Sequence, residues 1–314
     1  MMFQPFLREK PAYIKLIYFI IIIFCSLLLV NIFGMVLAVP FFGKSFIESL
    51  TGIYDYNDPG VICKLKYIQI INEFAMFIVP VLLFALLAGK SMRDYLKLDR
   101  SINFVQLLIG ASVIIASLPL INWLSKINES MSLPDQLAGI EKWMRNAEND
   151  ADALSNAFMS TTTFWGLLIN ILMIAILPAI GEEFFFRGVL QRLFSEWFKN
   201  AHIAIFLTAF IFSAFHLQFY GFLPRFMLGL FLGYLFYWSG TLWLPIIIHF
   251  INNGIAVVVA FLAAKGAINV NFETFGSSDN IYVNLCSTLF VAGLVFILYR
   301  KYRMNSPSTK GCKP

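Results

Sequence analysis

The apolar stretch that decides the fold spans residues 169–194 and reads INILMIAILPAIGEEFFFRGVLQRLF. A run of this length can cross a hydrocarbon core of roughly 30 Å as one helix. Its middle nevertheless carries three ionisable side chains, Glu182, Glu183 and Arg187, and Arg192 lies near its end. Ionisable groups inside a bilayer cost about 3 kcal/mol each, so they are usually paired, face a cavity or serve a function. The stretch therefore predicts a membrane-spanning helix with one polar face.

Apolar runs of similar length recur along nearly the whole chain of 314 residues, of which 59% are hydrophobic and 13% charged. This composition excludes a water-soluble domain, and helices satisfy their own backbone groups inside a bilayer. We therefore predict an all-α, polytopic membrane bundle of about eight transmembrane helices that forms a single domain over residues 1–314. The predicted spans lie near residues 13–39, 67–89, 104–124, 164–190, 202–220, 225–239, 242–264 and 282–299.

The basic residues indicate how the chain is oriented in the membrane. Lys and Arg cluster before the first span, at 90–100, at 187–199 and in a basic tail at 300–314. With eight crossings these clusters fall on one side, which the positive-inside rule identifies as the cytoplasm. We expect both termini to be cytoplasmic, in the plasma membrane if the chain is prokaryotic, and an acidic outer loop at 125–163. The net charge of +5 reflects this orientation and indicates no nucleic-acid partner.

Polar residues inside apolar sequence concentrate in the second half of the chain. His216 ends one apolar run, whereas His249 and Asn253 lie inside a later one. Glu183 and Arg187 are four residues apart, as are His249 and Asn253, so each pair shares one face of its helix. These spacings predict a polar seam that faces the interior of the bundle.

Glu182 and His216 are expected to lie at the same depth. If 164–199 and 201–220 are antiparallel helices joined near Asn200, each of the two side chains lies about 25 Å from that turn, at 1.5 Å per residue. The two side chains can then meet if the tip of the hairpin projects beyond the membrane.

The polar groups have structural as well as functional interpretations. Glu183 and Arg187 fit a structural salt bridge, because an arginine one turn away is the least costly partner for a buried carboxylate. That pairing leaves Glu182 without a partner, which favours a functional role for it together with His216. Glu73, placed near the outer end of its span, is interpreted as structural or solvated.

The chemistry available to these groups is hydrolysis by activated water. A carboxylate beside an imidazole in a water-accessible cavity can take a proton from water and make a nucleophile that attacks a peptide carbonyl. The tetrahedral oxyanion that forms then needs hydrogen-bond donors. An imidazole and an amide one helical turn apart, such as His249 and Asn253, can supply them. The residues thus indicate peptide hydrolysis without an acyl-enzyme.

The same residues form three short motifs, which are EEFFFR at 182–187, FSAFH at 212–216 and HFINN at 249–253. They resemble the EExxxR, FxxxH and HxxxN motifs of the CAAX-prenyl-protease and bacteriocin-processing family, also called the CPBP or Abi family of intramembrane proteases. The resemblance covers about residues 164–264, the motif-bearing core. It implies an intramembrane endopeptidase that acts on a peptide or protein substrate.

The resemblance also implies a role for each motif residue. Glu182 would activate water with the help of His216, whereas His249 and Asn253 would form the oxyanion site. Glu183 and Arg187 would brace the helix that carries the first motif.

The resemblance leaves the need for a metal open, because family members are described both as metalloproteases and as metal-independent glutamate peptidases. The chain lacks the HExxH pair of a zincin, and its four cysteines lack CxxC spacing. We favour a metal-independent reaction with no cofactor. If zinc is required, Glu182, His216 and His249 are the three candidate ligands.

Two non-catalytic interpretations stay open. A membrane protein that binds a bacteriocin or partner peptide and confers immunity would use the motifs as architecture alone. A proton-coupled transporter would use buried Glu and His as a relay, although the absence of a visible internal repeat argues against it. The sequence leaves open the substrate, the oligomeric state and whether a prenyl group is recognised.

Overall fold

All regular structure is helical in the residues that the computed structural model describes, which are 5–43, 46, 55–270 and 274–305. The prediction of an all-α fold is confirmed for these residues. The main helices are α1 Ala12–Phe42, α2 Pro59–Ala88, α3 Phe104–Ala116, α4 Leu118–Glu129, α5 Ala138–Met159, α6 Phe164–Phe198, α7 Ala201–Phe215, α8 Phe222–Ser239, α9 Trp243–Ala264 and α10 Ile281–Asn305.

Five of these helices, α1, α2, α6, α9 and α10, are long and apolar enough to cross a membrane. A sixth span results if α3 and α4, which are bent by 48° at their junction, count as one crossing. The described residues therefore contain five or six candidate membrane spans, which indicates a multi-pass membrane protein, and this number is smaller than the predicted eight. The difference lies in α7, which has only 15 residues, and in α8, where Arg225 lowers the hydropathy.

Several predicted boundaries differ from the structure. Helix α2 begins at Pro59, eight residues before the predicted start of the second span, so Glu73 lies near its middle and not near its outer end. The segment 125–163, predicted as a loop, contains the end of α4 and the 22-residue helix α5. Residues 306–314 of the predicted basic tail lie outside the described residues.

Helix α6 and its turn into α7 place the first two motifs side by side. The 35 residues of α6 extend for about 52 Å, longer than the hydrocarbon core. Lys199 ends α6 in a left-handed conformation with φ 51°, and the side chain of Asn200 accepts hydrogen bonds from the first N–H groups of α7. The turn predicted near Asn200 is thereby confirmed.

Prolines coincide with irregular helical turns in α2 and α6. Residues Phe74–Ile78 form a π-helical turn just before Pro80, and Ile171–Ile176 form another just before Pro178. A proline has no N–H to donate within the helix, so the hydrogen-bond ladder must be interrupted at these points. A third π-helical segment, Glu183–Leu190, covers most of the first motif. Such turns are rare in helices and are frequent at functional sites.

Two glycines of α8 let it pack closely against its neighbours. A Cβ atom at Gly229 would lie 3.1 Å from Ala209 of α7, and one at Gly233 would lie 2.9 Å from Ile205 of the same helix. Small residues four apart allow helices in a membrane to approach until backbone groups come within reach of side chains. The approach exposes the carbonyl groups of both glycines to polar side chains of α6.

Candidate active site

A buried ion pair lies at the centre of the polar seam. Arg187 Nη1 donates to Glu183 Oε1 at 2.7 Å, and both side chains are 0% exposed. The guanidinium also donates to the carbonyl oxygen of Gly229 at 2.9 Å and stacks on the ring of Phe212, 4.8 Å from its centroid. The expected ion pair is confirmed, and it links α6 to α7 and α8.

The imidazole of His249 joins both carboxylates of the first motif. Its Nδ1 lies 2.9 Å from Glu183 Oε1, the oxygen that also accepts the bond from Arg187. An ionised carboxylate only accepts hydrogen bonds, so Nδ1 of His249 carries the proton of this bond. Nε2 then faces Glu182, with 3.9 Å between Nε2 and Oε2. This separation is too long for a direct hydrogen bond.

Glu182 is the carboxylate of the first motif that stays free of strong contacts. Its side chain is 13% exposed, and its Oε2 atom is buried without a hydrogen-bond partner among the described residues. The neighbouring carboxylate, Glu183, is held by both Arg187 and His249. The two adjacent glutamates therefore differ in environment, and Glu182 is the one that can receive a proton from a third molecule.

His216 lies at the end of α7 and is held by its own helix. Its Nδ1 lies 2.9 Å from the carbonyl oxygen of Phe212, which can only accept, so Nδ1 donates this bond and Nε2 is free. The Phe212 ring lies 5.2 Å from the His216 ring and 6.1 Å from the His249 ring. No hydrogen bond or ion pair joins Glu182 to His216 in the described structure, and the imidazole nearest to Glu182 is that of His249.

Asn253 binds a backbone carbonyl group of α6. Its Nδ2 donates to the oxygen of Ile174 at 3.0 Å, and its Oδ1 accepts a bond from Asn252. The α-helical donor for the Ile174 carbonyl would be residue 178, which is a proline without an N–H. Asn253 thus replaces a hydrogen bond that Pro178 cannot make, and the second N–H of its amide group is left over.

The proposed zinc ligands are not arranged as a metal site. Within the described ranges, no group of three His, Cys, Asp or Glu side chains could hold a metal ion. His249 and His216 each use Nδ1 for a hydrogen bond and keep Nε2 available, as metal-ligating histidines do, but their Nε2 atoms and the carboxyl group of Glu182 do not converge on one point. This donor set does not fit zinc in the observed arrangement.

Sequence analysis missed the groups of α6 and α8 that hold the seam in place. Gln191 lies one turn after Arg187 and donates to the carbonyl oxygen of Gly233 at 3.1 Å, just as Arg187 donates to Gly229. The two contacts repeat with the same spacing on both helices. The sequence contains a signal for these contacts. Gly229 and Gly233 are four residues apart, as are the polar residues Arg187 and Gln191.

The amphipathic helix α5 is fastened to the loop that follows His216. Glu148 accepts a hydrogen bond from the N–H of Tyr220 at 3.0 Å, and Asp152 accepts one from Gln218 at 3.1 Å. Burial raises the pKa of the Glu148 carboxyl above its ordinary value, although the Tyr220 bond opposes this effect. The groups border a polar cavity of about 500 Å³. The position of α5 is thus coupled to the loop beside His216.

Comparison with known proteins agrees with the motif-based resemblance. The model of a family described as type II CAAX prenyl endopeptidase Rce1-like matches residues 164–255. An uncharacterized protein of Bacillus subtilis (strain 168), YpbD, is 26% identical over 120 residues. That alignment covers 37% of this chain and 57% of YpbD, so it spans little more than half the length of this relative. No solved structure matches the chain.

The matched region begins at the first residue of α6 and ends within α9. It therefore includes all three motifs, the Glu183–Arg187 ion pair and the imidazole of His249, which binds Glu183 and faces Glu182. Residues 164–255 form a domain of the Rce1-like type II CAAX prenyl endopeptidase family, which is also the CPBP or Abi family.

Proposed function

We propose that the protein is an intramembrane endopeptidase in which Glu182 activates the water molecule that hydrolyses a peptide bond. The observation that carries the proposal is the asymmetry of the two adjacent glutamates. Glu183 is held through Oε1 by both Arg187 and His249, with only its Oε2 left without a partner, whereas no hydrogen bond holds Glu182, which is nearly buried and faces Nε2 of His249. Membership of the matched domain in a peptidase family supports the same chemistry.

The proposed reaction begins with proton transfer from water to Glu182. The hydroxide formed attacks the peptide carbonyl, and the negative charge moves to the carbonyl oxygen. His249, when it carries a proton on Nε2, and the second N–H of Asn253 stabilise this oxyanion. His216 presents its free Nε2 and assists Glu182 as a second proton acceptor. Glu183 and Arg187 keep His249 in one orientation, so they are positioning residues.

The proposed reaction needs no bound metal, because side chains alone supply the base and the donors of the oxyanion site. Glu182 supplies the base, and the two donors of the oxyanion site lie on a single helix face. Its test is the activity of purified protein after treatment with a chelator, with elemental analysis of the active sample. Activity that is lost on removal of zinc and restored by zinc would contradict the metal-independent reaction.

We further propose that the membrane is crossed eight times, with α7 and α8 as a short hairpin that completes the bundle. Both termini then lie in the cytoplasm, and α5 lies on the outer side, as the distribution of Lys and Arg predicts. The polar seam falls in the middle of this arrangement, since Glu182 is near the centre of α6 and His249 lies within α9.

The proposed function is tested by comparing membrane and secreted peptides, by mass spectrometry, between cells that carry wild type and cells that carry Glu182→Gln. Glu9→Gln is the matched control, because this carboxyl group is exposed and lies outside the seam. We expect a set of cleaved peptides in wild type and in the control that is absent with Glu182→Gln. Identical peptides in all three, with equal protein levels, would contradict the proposal and favour a binding or transport role.

A further inference from the structure

Glu73 is a buried carboxyl group that the proposed reaction does not yet use. It lies near the middle of α2, directly before the π-helical turn Phe74–Ile78, and is 4% exposed. Its Oε1 atom is buried and has no hydrogen-bond partner among the described residues. An ionised carboxylate without a partner is costly at such a position, so the neutral acid is the form that this site tolerates.

The carboxyl group of Glu73 lies against the residue that precedes Glu182. A Cβ atom at Gly181 would lie 2.6 Å from Glu73 Oε1 and 3.0 Å from Cβ of Phe77. A larger residue at this position would displace the end of the Glu73 side chain. Glu182 follows Gly181 directly in the chain, so the carboxyl groups of Glu73 and Glu182 belong to one small region of the bundle. Two carboxyl groups in one site favour a state in which one holds a proton and the other does not.

Several polar side chains of the bundle bind a donor or an acceptor on a neighbouring helix, whereas Oε1 of Glu73 does not. Lys66, two turns earlier on α2, donates to Asn170 Oδ1 at 2.7 Å. Gln191 and Arg187 donate to carbonyl groups of α8. A carboxyl group that served only to join helices would be expected to bind a donor on the neighbouring helix. Glu73 instead lies against Gly181, the neighbour of Glu182 in the chain.

We propose that Glu73 is the second carboxyl group of this active site and donates a proton to the leaving amine, an inference that rests on the proposed function. Glu182 takes one proton from water as the bond between oxygen and the carbonyl carbon forms. Glu73 gives its proton to the nitrogen as the C–N bond breaks, so the amine leaves as a neutral group. The proton held by Glu182 then passes to Glu73, and both groups return to their starting states.

The first test compares two leaving groups on the same acyl peptide. One probe is a peptide found in the Glu182→Gln comparison, and the other is its nitrophenyl ester, whose leaving group departs without a proton. In Glu73→Gln we expect amide hydrolysis to fall by about 10²–10⁴-fold and ester hydrolysis to stay within about threefold. The limb of the amide pH profile that reports a proton donor disappears, and Glu73→Asp restores part of the rate. Equal losses for both probes would overturn the inference, because a structural defect affects both.

The second test does not depend on catalysis. A hydrophobic carbodiimide reacts with protonated carboxyl groups in apolar surroundings, and mass spectrometry locates the product. We expect Glu73 to be labelled in wild type and in the exposed-carboxyl control Glu9→Gln. Labelling of Glu73 is expected to persist in Glu182→Gln, because burial itself keeps this carboxyl group protonated. Absence of labelling at Glu73 in wild type would overturn the inference, because an ionised carboxylate has no proton to donate.

The outcomes separate this inference from the proposed function. If Glu182→Gln abolishes cleavage while Glu73→Gln hydrolyses amide and ester as wild type does, the inference fails and the proposed function stands. If wild type cleaves no peptide, both fail, and carbodiimide labelling still shows whether Glu73 is protonated.

Discussion

Removal of Arg187 is expected to destabilise the fold strongly, because this side chain is fully buried and makes three contacts. The substitution Arg187→Met removes the 2.7 Å ion pair to Glu183, the bond to Gly229 and the stacking on Phe212. Loss of one partner of a buried ion pair typically costs 3–5 kcal/mol, mainly because the other charge is left buried. Since His249 still donates to Glu183, we expect the lower end, about 3 kcal/mol.

A double substitution separates the cost of an unpaired charge on Glu183 from the cost of losing the other contacts of Arg187. Glu183→Gln combined with Arg187→Met leaves no buried charge, and Gln can still accept the hydrogen bond from His249. The carbonyl group of Gly229 loses its donor in both variants, which costs about 1–3 kcal/mol. We therefore expect the double variant to be more stable than Arg187→Met alone and less stable than wild type.

The assay is equilibrium unfolding in mixed detergent micelles, followed by circular dichroism. Lys126→Met is the matched control, because Lys126 also binds a carboxylate, that of Asp279, and the two side chains are 51% and 95% exposed. Exposed ion pairs contribute roughly 0–1 kcal/mol, so the control is expected to lose little stability. The reasoning is refuted if Arg187→Met is as stable as the control, or if the double variant is no more stable than Arg187→Met.

Three further predictions follow from local features of the structure. Asn253→Ala is expected to lower the unfolding free energy by about 1–3 kcal/mol in the same assay. The loss is expected to be clearly smaller in a Pro178→Ala background, which restores a backbone N–H at residue 178. Equal losses in both backgrounds would contradict the role of Asn253 as the donor to the Ile174 carbonyl group. The raised pKa of Glu148 means that the folded state binds the proton of this carboxyl group more tightly than the unfolded state does. The stability that the protonated group contributes is therefore lost as pH rises through the folded-state pKa. Glu148→Gln is expected to flatten this part of the dependence of the thermal midpoint on pH, and an unchanged profile would contradict the assignment. Cysteines introduced at 125–163, in a background without native cysteines, are expected to react with an impermeant reagent outside intact cells and those at 90–103 are not; the reverse pattern would reject the orientation.

The features that sequence predicted well are those that depend on neighbouring residues in one helix. The ion pair between Glu183 and Arg187 follows from their spacing of four, and it survives even though the segment is π-helical. The turn near Asn200 follows from a side chain that caps helices well. Both predictions required no knowledge of which helices pack together.

The imidazole partner of Glu182 could not be predicted in the same way. The expected contact with His216 assumed that two straight α-helices run from Asn200 with equal rise per residue. The π-helical segment Glu183–Leu190 changes the direction and rise of the helix between that turn and Glu182. In the structure His249 of α9 occupies the place beside the carboxylate, which depends on tertiary packing.

The position of Glu73 was missed because a charged residue obscured the start of its helix. Lys66 lowers the hydropathy of the segment after Pro59, so the predicted span begins too late. Its amine is satisfied inside the bundle by Asn170 and by the carbonyl oxygen of Phe158 at 3.2 Å, contacts between distant parts of the chain. With the helix starting at Pro59, Glu73 moves from the end of a span to its middle.

The measurement that tests the central claim most directly is the rate of peptide cleavage by purified Glu182→Gln protein in lipid vesicles, beside wild type and Glu9→Gln. If Glu182 activates water, its amide replacement lowers the rate by about 10²–10⁴-fold while circular dichroism and unfolding stability stay close to wild type. Cleavage by Glu182→Gln at the wild-type rate, in a sample free of wild-type protein, would contradict the account.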